Sequence, residues 1–441
     1  MIRWTQYALA LASLTLCAPA FALNGFFAHG YGTQSKAMAG AGVALALDSL
    51  APATNPAAIV WLGARTDIGL SLFNPVRGHS ASGEPTGACA SQSQCTFGLG
   101  PQNLDSGLEL FPVPSFGMAR PLSERSAWAL SIYGSGGLNT DYDTGSATFG
   151  VPSGTLPPGQ SVTSPGVFGS GDAGIELSQL FVVMSYAQRF GTSGAWGVAP
   201  ILAGERFRAK GLRNFSAYSA DPDHLTNNGY DHALGYGVRL GVQGALHPML
   251  KVGASWQSRV YMSKLDKYAG FFAEQGDLDI PSTFTVGLAT TLIPNVTIAF
   301  DVQQIQFADV KSVGNRLLPN LLESRLGDDD GAGFGWRNMT IYKLGAAVQG
   351  EGNRTWRVGY SYGDQQIPDS QVFLNVLGPS VIRHHVTAGL TQKLPDGREW
   401  NVSLMFALRN TVDGPNPLDP GQRIEIEARM FEIEISYAWG G

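Results

Sequence analysis

Three short motifs in this sequence carry side chains that could do chemistry. Residues 359–363 read Gly-Tyr-Ser-Tyr-Gly, which matches the elbow that presents a nucleophilic serine in hydrolases. Arg383-His384-His385 offers two imidazoles, and residues 328–330 offer three aspartates. However, a serine elbow needs a strand-to-helix turn, neighbouring histidines on a strand point to opposite faces, and this acidic spacing fits no known calcium loop. We therefore predict no enzyme, no metal site and no cofactor.

The first 22 residues have the features of an export signal. Arg3 supplies a positive charge, Tyr7 to Leu16 form a short apolar stretch, and Ala20-Phe21-Ala22 fits a small-x-small cleavage site. We predict a signal peptide over residues 1–22 and a mature chain that begins at Leu23.

Composition narrows the class of protein further. Charged residues are only 15% of the chain, against about 25% in soluble domains, and glycine is abundant at 56 residues. The net charge of −6 disfavours a nucleic-acid partner, which would need a basic stripe. Cys89 and Cys95 lie close together without a nearby histidine, so in an oxidising compartment we predict a small loop disulfide.

The mature chain consists largely of long segments in which apolar and polar residues alternate. In the last of them, Phe431, Ile433 and Ile435 share one face, whereas Glu432 and Glu434 share the other. This period of two indicates strands with one apolar face. The segments reach about 10 residues, longer than the 5 to 6 of soluble strands, and so favour strands that cross a membrane.

The connections between these segments alternate between tight turns and long polar loops. Tight turns are predicted at 121–125, 191–194, 247–248, 294–295, 350–353 and 395–397, and long loops near 76–106, 138–173, 211–228, 265–280, 312–334, 364–380 and 412–421. This layout predicts an all-β fold, a 14-stranded antiparallel transmembrane β-barrel over residues 63–441. Closure of the barrel leaves no sheet edge exposed to lipid.

Residues 23–62 differ from the rest of the mature chain. They are rich in small residues and lack the alternation of a strand. Asn55 is predicted to cap a helix in which Pro56 is the first residue. Two interpretations remain open at this point: a plug inside the barrel, or a tail in the periplasm.

At these residues the sequence resembles the outer-membrane long-chain fatty acid and hydrocarbon transporter family. The matching parts are Gly30-Tyr31-Gly32, Gly40-Ala41-Gly42 and, above all, Asn55-Pro56-Ala57 just before the first predicted strand. The last triplet is similar to the family's Asn-Pro-Ala motif in its N-terminal hatch. The resemblance implies a 14-stranded barrel whose lumen holds residues 23–62 as a hatch.

The resemblance also implies a path for a hydrophobic ligand. In the family, ligands enter a groove among the extracellular loops and leave sideways at a kink in the third strand. Gly134, Ser135, Gly136 and Gly137 fall in the third predicted strand, where glycines mark a bulge or bend. We interpret them as the lateral opening; the alternative is that they make room for the hatch.

Four residues are candidates for ligand contact by this resemblance. Arg213 matches a basic position of the family that contacts a ligand carboxylate. Lys311, which we predict to end the ninth strand, matches a second basic position. Alternatively, these cations face lipopolysaccharide phosphates. Phe26 and Phe27 match the deep site near the start of the hatch; alternatively, they pack the hatch against the wall.

The sequence thus predicts passive transport of fatty acids or of aromatic or aliphatic hydrocarbons across the bacterial outer membrane. The expected partners are the ligand, outer-membrane lipid and lipopolysaccharide, and the barrel-assembly machinery, and the protein is expected to be a monomer. Alternatives are a surface adhesin or phage receptor, which would need no apolar lumen, and an outer-membrane lipid hydrolase, for which no catalytic set can be assembled.

Overall fold

The computed structural model describes residues 24–89, 95–150 and 161–440. The predicted signal peptide over residues 1–22 lies outside these ranges. Among the residues described, no helix combines the length and the apolar character that a membrane span requires.

The described part of the chain contains nineteen strands. They are β1 (Arg65–Ser82), β2 (Phe97–Leu99), β3 (Gln102–Asp105), β4 (Phe111–Pro121), β5 (Ser126–Asn139), β6 (Ser146–Gly150), β7 (Ser161–Pro165), β8 (Gly174–Phe190), β9 (Gly194–Lys210), β10 (Asp231–His247), β11 (Leu250–Gln257), β12 (Tyr261–Met262), β13 (Thr283–Ile293), β14 (Val296–Ile305), β15 (Met339–Gln349), β16 (Arg354–Gly363), β17 (His384–Lys393), β18 (Glu399–Pro415) and β19 (Arg423–Trp439).

Fourteen of these described strands, all except β2, β3, β6, β7 and β12, form one closed antiparallel ring. Each pairs with the barrel strands before and after it in the chain. The ring closes where β1 pairs with β19, from Thr66 opposite Trp439 to Ser82 opposite Arg423. The predicted all-β fold with fourteen barrel strands is confirmed.

The alternation along the strands separates an apolar outer surface from a polar interior. In β19, Glu432 and Glu434 are buried while Ile435 between polar neighbours is exposed. Exposed apolar side chains recur around the ring, among them Ile68, Leu70, Leu234, Leu240, Trp256, Phe284, Leu344, Trp356, Val358, Phe406 and Leu408. Such an outward apolar band is the surface that a transmembrane barrel presents to lipid.

Tight turns and long loops alternate as predicted, with two corrections. β1 continues to Ser82, so the first long loop begins after that residue and not near 76. β14 ends at Ile305, so Lys311 does not end the ninth barrel strand; it begins a short helix inside the following loop. In both cases the polar residues near the strand end did not indicate where the strand stops. Strand pairing extends β1 through polar residues, and loop packing ends β14 early.

The remaining elements are short and lie in the N-terminal residues and the long loops. The α-helices are Thr33–Lys36, Ala273–Gly276, Lys311–Gly314, Asn320–Glu323 and Val372–Asn375, and the 3₁₀ helices are Ala51–Ala53, Pro56–Trp61, Arg213–Tyr218, Pro222–His224, Asp266–Tyr268, Phe307–Asp309 and Asp369–Gln371. β2, β6 and β7 pair into a small separate sheet. In the loop between β16 and β17, residues 371–382 are buried, and we call this loop the buried loop.

Candidate functional site

Residues 24–62, hereafter the N-terminal segment, contact inward-facing side chains on strands spread around the ring. The Asp301 carboxylate of β14 accepts a hydrogen bond from the Gly42 N–H at 2.7 Å. The Lys343 ammonium of β15 donates to the His29 carbonyl at 3.1 Å. Contacts of the same kind join Asp67 to Ser49, Gln243 to Ala44, Arg239 to Pro52 and Thr387 to Ala37. The N-terminal segment therefore contacts the inner face of the ring on several sides.

An ion-pair cluster around Lys36 is the most highly charged of these contacts. The Lys36 ammonium lies 2.5 Å from a carboxylate oxygen of Glu432 and 2.5 Å from one of Glu434, both on β19. Burial lowers the pKa of Lys36, but the two carboxylates outweigh burial and hold this pKa above its ordinary value. Burial, followed by the nearby Lys36 charge, lowers the pKa of His29 well below its usual range, so this imidazole is neutral. The cluster ties the N-terminal segment to the barrel wall by charge.

The Asn55-Pro56-Ala57 triplet forms a second attachment to the wall. The Asn55 side-chain oxygen accepts from the Ala57 N–H at 3.0 Å, and Pro56 is the first residue of the 3₁₀ helix, in agreement with the expected helix start. The Asn55 amide nitrogen donates to the Val43 carbonyl at 2.8 Å and to the Val242 carbonyl of β10 at 3.0 Å. One side chain therefore caps a helix, folds the segment onto itself and holds it to the wall.

β5 has a bulge at the glycine cluster. Its register with β8 shifts between Gly134 and Gly136, so Ser135 is an extra residue. The backbone of the N-terminal segment pairs with β5 at this point, since the Gly137 N–H donates to the Phe26 carbonyl at 2.9 Å. A Cβ on Gly136 would lie 1.4 Å from that carbonyl oxygen. The inner side of the bulge is thus filled by the start of the N-terminal segment.

Phe26 and Phe27 belong to a buried aromatic cluster. Their rings stack with centroids 5.4 Å apart, and the Phe26 ring also lies 5.2 Å from Phe307 and 5.7 Å from Trp336. Phe307 and Trp336 come from the loop between β14 and β15. The buried loop between β16 and β17 covers the same end of the segment, where the Ser380 hydroxyl donates to the Gly25 carbonyl at 2.5 Å.

A cleft of about 670 Å³ opens among the long loops on the side of the barrel away from the tight turns. Its apolar lining includes Phe149, Tyr218, Leu321 and Leu322, together with polar residues such as Asn214 and Arg325. Arg213, next to Asn214, is exposed at the start of a 3₁₀ helix.

Lys311 does not line this cleft. Its ammonium lies 3.3 Å from Glu274 and 3.5 Å from Asp330, so two carboxylates already neutralise its charge. Lys311 and Arg213 therefore do not form one basic site at this cleft.

The sulfurs of Cys89 and Cys95 are bonded to each other. Cys95 also lines the loop cleft. The bond therefore joins Cys89 to a residue at the margin of this cleft.

The motif that matches a hydrolase elbow lies entirely within β16 and its end. The Ser361 hydroxyl is hydrogen-bonded to His385 Nδ1 of β17 at 3.1 Å, and both side chains are buried. His384, on the opposite face, is hydrogen-bonded to the Tyr360 hydroxyl at 2.7 Å. No helix follows the serine directly, so the strand-to-helix geometry of the elbow does not occur here.

Sequence reasoning missed the polar side chains of the wall that hold the N-terminal segment. These are Asp67, Arg239, Asp301, Lys343, Thr387, Glu432 and Glu434. A signal for them was present, because polar and ionisable residues alternate with apolar ones along these strands. A closed barrel buries these residues, so each needs a partner inside it.

Comparisons with known proteins agree on the fold. The sequence matches no protein-family model and no curated protein. The crystal structure of the Pseudomonas putida toluene transporter TodX aligns with a TM-score of 0.65 at 16% identity, over 94% of this chain and 99% of that one. A Pseudomonas aeruginosa FadL homologue aligns at 0.61 with 13% identity, over 94% and 98%. The Ralstonia pickettii toluene transporter TbuX aligns at 0.58 with 15% identity, over 93% and 98%.

At these identities the comparison establishes a shared fold over nearly the whole of both chains. The resemblance seen in the N-terminal motifs is therefore confirmed at the level of the fold.

Proposed function

We propose that this protein is a bacterial outer-membrane channel for the passive uptake of hydrophobic compounds, with the N-terminal segment as its plug. The observation that carries the proposal is a closed barrel with an apolar outer surface, whose inward-facing side chains contact the N-terminal segment mainly through polar groups. The fold shared with toluene transporters supports it. The proposal covers fatty acids and aromatic or aliphatic hydrocarbons.

We propose a route from the loop cleft, through the aromatic cluster, to the bulge of β5. Arg213 lies beside the cleft, where it can attract an anionic headgroup, and Phe26 and Phe27 offer an apolar surface deeper inside. Each methylene transferred to an apolar surface gains about 0.8 kcal/mol, so a graded series of such surfaces draws the ligand inward. At Gly134–Gly137 the wall is irregular, and a ligand leaves sideways into lipid once the segment moves.

The proposed plug spans residues 23–62, the barrel spans residues 63–441, and residues 1–22 direct export. A single barrel closes on itself, which favours a monomer. Its assembly requires the outer-membrane insertion machinery, and its long loops face lipopolysaccharide.

Uptake by intact cells tests the proposal. Cells that express the protein should take up radiolabelled toluene or decanoate faster than cells with an empty vector, while uptake of a polar sugar stays unchanged. Heat-dependent migration on gels verifies that the barrel is folded. A folded barrel with no gain in uptake for either hydrophobic probe would contradict the proposal.

A further inference from the structure

Arg77 is a buried cation that the contacts described so far do not explain. It lies on the inward face of β1, near the end of the strand that leads into the long loops, and its side chain is 1% exposed. One guanidinium nitrogen, Nη1, donates to the Asn139 carbonyl at 2.9 Å. The other two nitrogens, Nε and Nη2, are buried without a hydrogen-bond partner among the described residues.

These two nitrogens form one edge of the guanidinium. Nε–H and an Nη2–H point the same way and are spaced to donate to both oxygens of one carboxylate. Within the described ranges, no aspartate or glutamate forms an ion pair with Arg77, whereas Lys36 has two. Arg239 also lacks an ion pair there, but both of its terminal nitrogens donate hydrogen bonds. Two buried guanidinium nitrogens without an acceptor are unfavourable, so this unpartnered edge indicates a site for an anion.

His79 adds a further donor on the same face of β1. The Gln102 oxygen accepts from the Ser146 N–H at 3.1 Å, which turns the Gln102 amide nitrogen toward His79. This nitrogen lies 2.9 Å from His79 Nε2 and donates to it, so the proton of the neutral imidazole is on Nδ1. His79 Nδ1 is also buried without a hydrogen-bond partner among the described residues. Arg77 and His79 thus present only donors, as recognition of an anion requires.

This pair lies on the proposed route, next to Tyr142, which belongs to a hydrophobic core that also contains Leu138 and Val376. Asn139 ends β5 three residues beyond Gly136, roughly 10 Å along the strand from the aromatic cluster. The edge of the His79 ring meets Tyr142 with centroids 4.8 Å apart. The buried loop covers this region, where the Tyr142 hydroxyl donates to the Val376 carbonyl at 3.3 Å. A carboxylate on an apolar chain suits this position, because the chain can contact the neighbouring apolar side chains.

We propose that Arg77, assisted by His79, binds the carboxylate of an apolar monocarboxylic acid between the loop cleft and the aromatic cluster. The inference rests on the proposed channel function and names its substrate class, acids with an aliphatic or aryl-aliphatic chain rather than hydrocarbons. Access requires the buried loop to separate from Tyr142. The proton on His79 Nδ1 is donated to the second face of the carboxylate or to the water that solvates it.

Calorimetry with the purified full-length barrel in detergent tests this assignment, with decanoate and decanol as probes. Arg77→Met should weaken decanoate binding roughly ten- to a hundredfold and leave decanol binding unchanged, since only the acid uses the charged hydrogen bonds. Arg77→Lys keeps the charge but loses the two parallel N–H donors, so it should retain only part of the affinity for decanoate. Arg354→Met, at a tight turn on the other side of the barrel, is the matched control and should alter neither.

The outcomes separate this inference from the proposed function. Equal loss for decanoate and decanol, or unchanged decanoate binding, would overturn the role of Arg77 while the channel proposal stands. If the unmutated protein binds neither probe, the channel proposal fails and this inference with it. Should Arg77→Met not fold, NMR of carboxyl-labelled decanoate on the unmutated protein decides. The bound carboxylate should stay ionised at least about one pH unit below the free acid, and titration like the free acid would refute the assignment.

Discussion

At the scale of single residues, Lys36 is the side chain on which the closed state should depend most. Its ammonium separates two buried carboxylates, Glu432 and Glu434. Lys36→Met leaves these carboxylates buried without their cation, a change that costs about 3–5 kcal/mol. We expect the N-terminal segment to loosen and cells to become more sensitive to a large polar antibiotic such as vancomycin.

The control for this change is Lys393→Met. Lys393 also pairs with an inward carboxylate, Glu399, at 3.5 Å, but 61% of its side chain is exposed. A surface pair contributes only about 0–1 kcal/mol, so antibiotic sensitivity should not change. If Lys36→Met resembles this control, the ion-pair cluster does not hold the segment.

Asp48 should make the stability of the N-terminal segment depend on pH. Burial, followed by repulsion from Asp67, raises the pKa of Asp48 to about 7. The folded segment therefore favours the protonated carboxyl, and its stability falls as the pH rises from about 4, the pKa in an unfolded chain, to about 7. Above that range the loss is complete.

Asp48→Asn isolates this effect because the amide oxygen can still accept from the Leu50 N–H, as Asp48 does at 3.0 Å. We expect hydrogen exchange over residues 33–60, corrected for intrinsic rates, to be faster at pH 8 than at pH 5 in the unmutated protein. In the Asp48→Asn variant the two rates should agree. Asp309→Asn, in an exposed loop, serves as the control, and a pH dependence that survives Asp48→Asn would refute the assignment.

At the scale of elements, the bulge of β5 links the wall to the N-terminal segment. Gly136→Val would place side-chain atoms where the Phe26 carbonyl now lies, so the start of the segment must leave β5. We expect uptake of toluene and decanoate to fall severalfold, because the aromatic cluster is displaced with Phe26 and Phe27.

The matched control is Gly204→Val on β9. A Cβ there would meet only the Leu234 side chain, at 3.9 Å, so uptake should be normal. Both variants should still migrate as folded barrels on gels. Normal uptake by the Gly136→Val variant would remove the bulge from the route.

The sequence predicted the elements better than the contacts between them. Long alternating segments and tight turns identified fourteen strands, since lipid on one face and a polar interior on the other impose a strict period of two. Asn55 was found because helix capping is local. The ends of β1 were harder, because Arg77 and His79 look like loop residues until closure of the ring buries them.

Contacts between distant parts of the chain had no such local signal. Lys36 and Glu432 are nearly four hundred residues apart in sequence and meet only because the N-terminal segment packs against the inner face of the ring. Lys311 was misplaced because the chain leaves β14 at Ile305 and turns through short helices. Loop packing of this kind depends on tertiary contacts, which composition does not encode.

At the scale of the whole molecule, the barrel should fold without the N-terminal segment. The hydrogen bonds that close the ring run between strands and do not involve residues 24–62. A chain without residues 24–62 should fold into the outer membrane and conduct ions, because the polar interior then fills with water. Recordings in planar bilayers should show open channels for this chain and closed ones for the unmodified protein. Equal conductance for both would contradict the role of the segment.

The seam between β1 and β19 has a consequence for biosynthesis. The first and last strands of the ring are neighbours in space, so the cylinder cannot be sealed until the ribosome has delivered the whole of β19. A prematurely terminated product would keep two unsatisfied strand edges, which hydrocarbon does not tolerate. We expect such a product to stay in the periplasm, where proteases can remove it. The seam would then act as a check that allows only complete copies to enter the outer membrane.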